Sequence, residues 1–360
     1  MITTGNLPAP LMQTIDRIQP RSETWYAQAL QHLDQLTKPP GSLGRLEEIA
    51  ARLVAIQQVA RPSCERKAVY VFAGDHGVVE EGVSAYPQEV TGQMVLNFAH
   101  GGAAVNVLAR SAGADVVVVD VGVAAEIGPV PGVLVKRVRR GTRNFLKEPA
   151  MTREETFAAM EVGISLAEAA SREGRKILAI GEMGIGNTTS ASALTAAITK
   201  ADPSKVTGAG TGVTGGAWEK KVEVVRKALA VHARALANPL DTLACLGGYE
   251  IAAMSGMVLG AAAQRMAVII DGFISTAAAA VASQFAPASR DYMIAGHTSQ
   301  EPGHRFLLDY LGLEPLLSLN MRLGEGSGAV LAFTVVEAAV RIYNEMATFA
   351  SAGVSQKSNE

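Results

Sequence analysis

A chain of 360 residues that is 48% hydrophobic and 18% charged can bury a large core, in one big domain or two smaller ones. Lys+Arg at 32 against Asp+Glu at 34 leaves a net charge of −2, and no basic stripe suggests nucleic acid. Thirty-six glycines with only 5% aromatic residues suit close helix–sheet packing and backbone-lined ligand sites. Cys64 and Cys245 lie far apart without CxxC spacing and read as free thiols of a reducing cytoplasm. The first twenty residues lack a basic segment followed by an apolar one, so no signal peptide is expected.

In chain order, "ETWYAQALQHLDQL" and "GRLEEIAARLVAIQQVA" carry apolar residues at three- and four-residue spacing and predict helices, separated by the turn "TKPPGSLG". Strand-like runs follow in "KAVYVFAGDHG", "ADVVVVDVG", "RKILAIGEMGIG", "AVIIDGF" and "DYMIAGH". Their Val, Ile and Ala do not alternate with polar residues, as expected for strands covered on both faces. "VLVKRVRRGTRNF" could add an irregular strand and a basic loop. Helical segments, "EVTGQMVLNFAHGGAAVNVLARSAG", "REETFAAMEVGISLAEAASREG" and "EKKVEVVRKALAVHARAL", separate several strands. Alternation of this kind predicts an α/β fold, a Rossmann-like, mostly parallel sheet flanked by helices. The apolar stretch from Leu246 to Phe285 is interrupted by Glu250, Arg265 and Asp271 and reads as buried strand and helix, with no membrane span.

In such sheets ligands bind beyond the C-terminal strand ends, which here carry Asp75, His76, Asp120, Glu182, Asp271 and His297. "GEMGIGNTTSASAL" runs from a strand through glycines into a helix whose first residues, Asn187, Thr188, Thr189 and Ser190, are all capping types. Free N–H groups and the helix dipole there would favour a phosphate; a plain capped turn fits equally well. Gly210, Gly212 and Gly215 have G-x-G-x-x-G spacing, but "TKADPSKVT" before them is no buried strand, so a dinucleotide fingerprint is not supported. A phosphate loop with Lys220 or Lys221 as counter-charge fits better, against the alternative of a surface loop. Asp75 and His76 without a third ligand are poor evidence for metal, and none is expected. His297 and His304 read as loop-fixing residues. In "MRLGEGSGA", Glu325 stands between two glycines; composition alone favours an ordinary surface-loop acid, while a dry setting would make it a proton acceptor.

Seven blocks, "LTKPPGSLGRLE", "FAGDHGVVEEGVSAYPQEVT", "QMVLNFAHGGAAVNVLAR", "IGEMGIGNTTSASAL", "GAGTGV", "IAGHTSQEPGH" and "LNMRLGEGSGAVLA", strongly resemble the nicotinate-nucleotide:dimethylbenzimidazole phosphoribosyltransferase family. They run in order from about Thr37 to Val335. The resemblance implies transfer of phosphoribose from nicotinate mononucleotide to 5,6-dimethylbenzimidazole or a related base, giving α-ribazole 5′-phosphate and nicotinate for cobalamin assembly, without a cofactor. It implies Glu325 as general base with inversion at C1′, and Glu182 as a second catalytic acid. It places the nucleotide and its phosphate on Gly184, Gly186, Asn187, Thr188, Gly210 and Lys221, with Lys220 as the adjacent alternative. Base contacts are expected from Ser84, Gln93 and Leu323, with Gln88 as a rival. It further implies a cytoplasmic homodimer. The resemblance also implies a smaller helical domain built from the chain ends, and the expected division is a helical segment at 1–65 contributing to it, an α/β domain at 66–340, and a helix end with a loose tail at 341–360. The rival readings are a phosphoribosyltransferase or phosphorylase for another base, a non-catalytic nucleotide sensor and, more distantly, a nicotinamide-cofactor dehydrogenase.

Overall fold

The computed structural model describes residues 7–210, 212 and 214–355. Six parallel strands form one sheet: β1 (Lys67–Gly74), β2 (Ala114–Gly122), β3 (Val133–Val135), β4 (Ile177–Met183), β5 (Ala267–Ile270) and β6 (Met293–Ala295). Their spatial order is β3-β2-β1-β4-β5-β6, with flanking helices, so the expected Rossmann-like parallel α/β sheet is present. The irregular strand anticipated after residue 132 is β3, at the sheet edge. Every residue of β1 and β5 is buried, which is why their sequences are unbroken apolar runs.

The order of strands reverses direction between β1 and β4. Crossovers on opposite sides of that point leave a crevice above the C-terminal strand ends. Glu182 and Met183 close β4 there, Asp271 follows β5, and Gly296 and His297 follow β6.

The long apolar stretch folds as helix Tyr249–Ala263, then β5, then helix Phe273–Phe285, nearly all of it buried. Helix Tyr249–Ala263 packs so closely on helix Arg153–Arg172 that a Cβ at Gly163 would collide with the Ala253 carbonyl, and one at Gly256 with the Met160 carbonyl. Small residues at the crossing let the two backbones touch, and this is where much of the glycine and alanine is spent. No described helix is long and apolar enough to cross a membrane.

The N-terminal helices Glu23–Gln35 and Arg45–Gln57 pack on each other, and the second packs on the C-terminal helix Ser327–Glu345. Their buried Leu33, Leu36, Leu53 and Ile56 join the same apolar cluster as the sheet.

Three sequence expectations need correction. The segment after residue 88 is two helices, Glu89–Ala99 and Ala104–Ala112, because Gly101 adopts a left-handed φ of 76° between them. The helix of "EKKVEVVRKALAVHARAL" stops at Val231, and the ring of His232 turns inward to the Phe145 carbonyl at 2.7 Å. At Asn187–Thr199 none of the four capping-type residues caps. Gly186 occupies that place with φ 96°, no side chain satisfies the first N–H groups, and the Asn187 and Ser190 side chains are drawn to Glu182 and the Leu246 carbonyl.

Candidate active site

Above the ends of β4 and β5 lies a cavity of ≈ 400 Å³, large enough for a nucleotide or a heterocycle. Its walls come from the loop and helix after β1 (Tyr86, Val90, Met94), the end of β4 (Glu182 to Thr188), the turn after β5 (Gly272 to Ser275), and the loop after β6 (His297, Ser299, Glu301). Gly210 and the segment Arg322–Glu325 complete it. Glycine at 181 is required here: a Cβ would run into the backbone of Glu325 and Gly326, which lies directly on β4.

Glu325 is buried, with 7% of its surface exposed, so the surface-loop reading of "GEG" fails. The flanking glycines do not make the loop loose. Gly324, Glu325 and Gly326 all take left-handed φ values of 85°, 64° and 84°. For a glutamate that conformation costs about 1–3 kcal/mol, a strain tolerated where surrounding contacts over-determine the backbone. One clamp is Asp271, whose carboxylate accepts the N–H groups of Gly326 and Ala329 at the start of helix Ser327–Glu345. Burial, and then the charge of Asp271, raise the Glu325 pKa to about 7, opposed by a hydrogen bond from the Val105 N–H. Its Oε2 is buried without a hydrogen-bond partner among the described residues.

Glu182 stands beside this loop and accepts from the Asn187 amide. Burial raises its pKa to about 8, helped by the charges of Asp271, Glu250 and Glu325. Glu250 is itself fully buried and meets His76 Nε2 at 2.6 Å behind the cavity. At near-neutral pH this end of the site thus holds carboxylates that can keep or accept a proton.

The other end is cationic. Lys221 is 1% exposed, its Nζ donating to Thr188 Oγ1 at 2.9 Å and the Gly208 carbonyl at 3.2 Å. No carboxylate lies within ion-pair distance of it among the described residues. Burial lowers its pKa to about 8, against the pull of Glu301. Beside it lie Gly210, whose N–H donates to Glu301 Oε1 at 3.0 Å, and the uncapped start of helix Asn187–Thr199. The Glu301 loop is fixed by His304. Its Nδ1 accepts the Ser299 N–H at 2.9 Å, so Nε2 carries the proton toward Thr276 Oγ1, also at 2.9 Å. Burial drives the pKa of that imidazole down to about 3, in keeping with a neutral structural group. Arg322 reaches across the mouth to the Gly210 carbonyl at 3.3 Å.

The fold therefore brings Glu325, Glu182, Gly184, Asn187, Thr188, Gly210 and Leu323 onto one cavity, with Lys221 behind Thr188 and Gly186 at the helix cap. Lys220 is exposed on the neighbouring helix face. Ser84 is half-buried, bonded to the backbone of Tyr86, and Gln93 is exposed; neither lines the cavity, where Tyr86, Val90 and Met94 of the same segment do. Asp271, His297, Ser299, Glu301 and Arg322 were absent from the expected site residues. The strand-end rule pointed to the first two, whereas the others stand within the motif blocks "IAGHTSQEPGH" and "LNMRLGEGSGAVLA" with no role attached to them there. Among the described residues no cluster of His, Cys, Asp and Glu could hold a metal ion.

A family described as phosphoribosyltransferase matches residues 18–354. This chain belongs to that family. It is thus a pentosyl-transferring enzyme. It is 55% identical over 346 residues to the nicotinate-nucleotide–dimethylbenzimidazole phosphoribosyltransferase of Geotalea uraniireducens (strain Rf4), covering 96% of this chain and 98% of the relative. Identity to the enzyme of the same name from Geobacter metallireducens is 52%, again over 346 residues, with the same coverage of 96% and 98%. A crystal structure of the nicotinate-nucleotide–dimethylbenzimidazole phosphoribosyltransferase from Thermus thermophilus superposes with a TM-score of 0.87 at 48% identity, covering 93% of this chain and 100% of that one.

Proposed function

We propose that the protein transfers phosphoribose from nicotinate mononucleotide to 5,6-dimethylbenzimidazole or a close relative, acting as a cytoplasmic homodimer in cobalamin nucleotide assembly. The observation that carries this reading is a single cavity whose wall holds an unpartnered buried carboxylate oxygen at Glu325 and is backed, behind Thr188, by a buried lysine with no ion-pair partner among the described residues. A mononucleotide supplies what the lysine lacks. Its phosphate would meet Lys221, Thr188 and the Gly210 segment at the start of helix Asn187–Thr199. Nicotinate leaves from a positively charged pyridinium nitrogen and needs no proton to depart. The incoming benzimidazole is neutral and carries one ring N–H. Attack by its other nitrogen creates a cation unless that proton is removed, so one base suffices.

Glu325 has the position for that task, and a proton affinity near neutrality serves it well. The base would lie among Tyr86, Val90, Met94, Met183 and Leu323. Glu182 would hold the ribose or, once its proton is lost, steady positive charge developing at C1′. The acceptor approaches the face opposite the leaving group, so configuration inverts from β to α without a covalent intermediate.

Purified protein mixed with both substrates should release nicotinate and form α-ribazole 5′-phosphate, resolved by chromatography. Glu325→Gln should retain the KM for mononucleotide and lose about 10²–10⁴-fold in kcat. In the unaltered enzyme kcat/KM should rise with pH through about 7, since the carboxylate must first give up its proton. Turnover of Glu325→Gln at the unaltered rate would remove the glutamate from this role.

A further inference from the structure

Asp271 does not line the cavity; 1% exposed, it is buried against the backbone of the Glu325 loop. It comes one residue after the Ile180–Ile270 pair of β4 and β5, where the loop of Glu325 lies on the sheet. Its Oδ2 accepts the Gly326 N–H at 3.1 Å and its Oδ1 the Ala329 N–H at 2.9 Å. Gly326 occupies the cap position of helix Ser327–Glu345 and offers no side chain of its own. Helix caps are ordinarily local. This one arrives from 55 residues away and is the only side chain of another element seen bonding to the Gly326 and Ala329 N–H groups among the described residues.

We propose that Asp271 is a positioning residue for the transfer: by holding the Gly326 and Ala329 N–H groups it fixes the left-handed backbone that aims the Glu325 carboxylate into the cavity. The inference rests on Glu325 being the base.

The acid also acts at a distance. Its charge follows burial as a cause of the raised pKa of both Glu325 and Glu182. Facing Asp271 are His297, with Nδ1 at 3.6 Å from the loop after β6, Glu182 from β4, and Glu325 from its own loop. Glu250 faces Glu182 from helix Tyr249–Ala263, and the Val105 N–H faces Glu325 from helix Ala104–Ala112. Deleting the Asp271 charge therefore leaves Glu325 easier to ionise, and its pKa falls.

Asp271→Asn keeps the shape, loses the charge and loses one of the two acceptors. Its kcat should fall by about 10- to 100-fold through misplacement of the base. The KM for mononucleotide should stay within about threefold. The acid limb of the pH profile should move down by about half a unit or more. A plain structural cap would cost thermal stability and leave that limb in place, and an unmoved limb or unaltered turnover in Asp271→Asn overturns the proposal. Glu325→Gln, measured alongside, separates the two claims. If it is crippled while Asp271→Asn is normal, only the positioning role falls; if it is fully active, the base assignment falls and takes this inference with it. Should Asp271→Asn not fold, Asp271→Glu keeps the charge and displaces the carboxylate from the Gly326 and Ala329 N–H groups by one methylene. It should lower kcat without moving the acid limb; unaltered turnover there also overturns the proposal.

Discussion

The two ends of the cavity solve opposite problems by the same means. At one end burial and neighbouring acids push Glu325 and Glu182 up to about 7 and about 8. At the other, burial pulls Lys221 down to about 8. Both ends are drawn toward neutrality, and in the proposed reaction each would gain a partner from the substrates: an anion for the lysine, an N–H for the carboxylate. They differ in how the side chain is held. Lys221 sits on a regular helix and is fixed by two hydrogen bonds to its own Nζ. Glu325 is held through its backbone, by left-handed φ values and a remote acid, with one carboxylate oxygen left unpartnered. A group that must bind can be anchored at its tip; a group that must exchange a proton has to keep its tip open.

That contrast can be tested at each end. The largest effect outside the base itself is expected at Lys221→Met. Loss of charge-assisted hydrogen bonds to phosphate, worth ~1.5–3 kcal/mol, should raise the KM for mononucleotide about 10- to 100-fold. The same variant should melt higher than the unaltered protein in the absence of substrate. The folded lysine loses its proton by about 8 and the unfolded one near 10.5, so below pH 8 the fold bears the full cost of burying the cation. The gain should shrink as pH rises from 8 toward 10.5, and a lower melting temperature at pH 7 would refute the picture of an uncompensated charge.

A stability effect with the opposite pH dependence is expected at the acid end. The unfolded chain gives up the Glu182 proton near 4.5, whereas the fold keeps it until about 8, so stability drains away as pH climbs between them. Glu182→Gln should therefore melt higher than the unaltered protein at pH 8 and equally at pH 4.5, followed by calorimetry across that range. The smallest effect belongs to Lys220→Ala. This side chain is exposed on the outer face of the same helix, and KM and kcat should both stay within about twofold. A large rise in KM there would shift the phosphate contact by one residue.

Much of the scaffold was legible because its signal is local. Unbroken runs such as "KAVYVFAG" and "AVII" announce strands covered on both faces, and they are β1 and β5. The break after "NFAH" was not read, since a single left-handed glycine is needed to turn one apparent helix into two. Motif blocks brought Glu325, Glu182 and Thr188 into view before any fold was known. Gln93 shows the limit of that route: its block lies at the cavity, yet the helix turns Val90 and Met94 inward and leaves Gln93 exposed.

By itself the sequence determined the order of strands and helices, the family, and which residue types stand at the strand ends, because propensity, apolar patterning and motif spacing are written within a few dozen residues. Only the tertiary structure decided that Glu325 is buried, that Lys221 rather than Lys220 turns inward, and that Asp271 grips the loop of Glu325. Those facts depend on segments far apart in the chain meeting above β4 and β5, and burial, charge coupling and backbone clamping arise only when they meet.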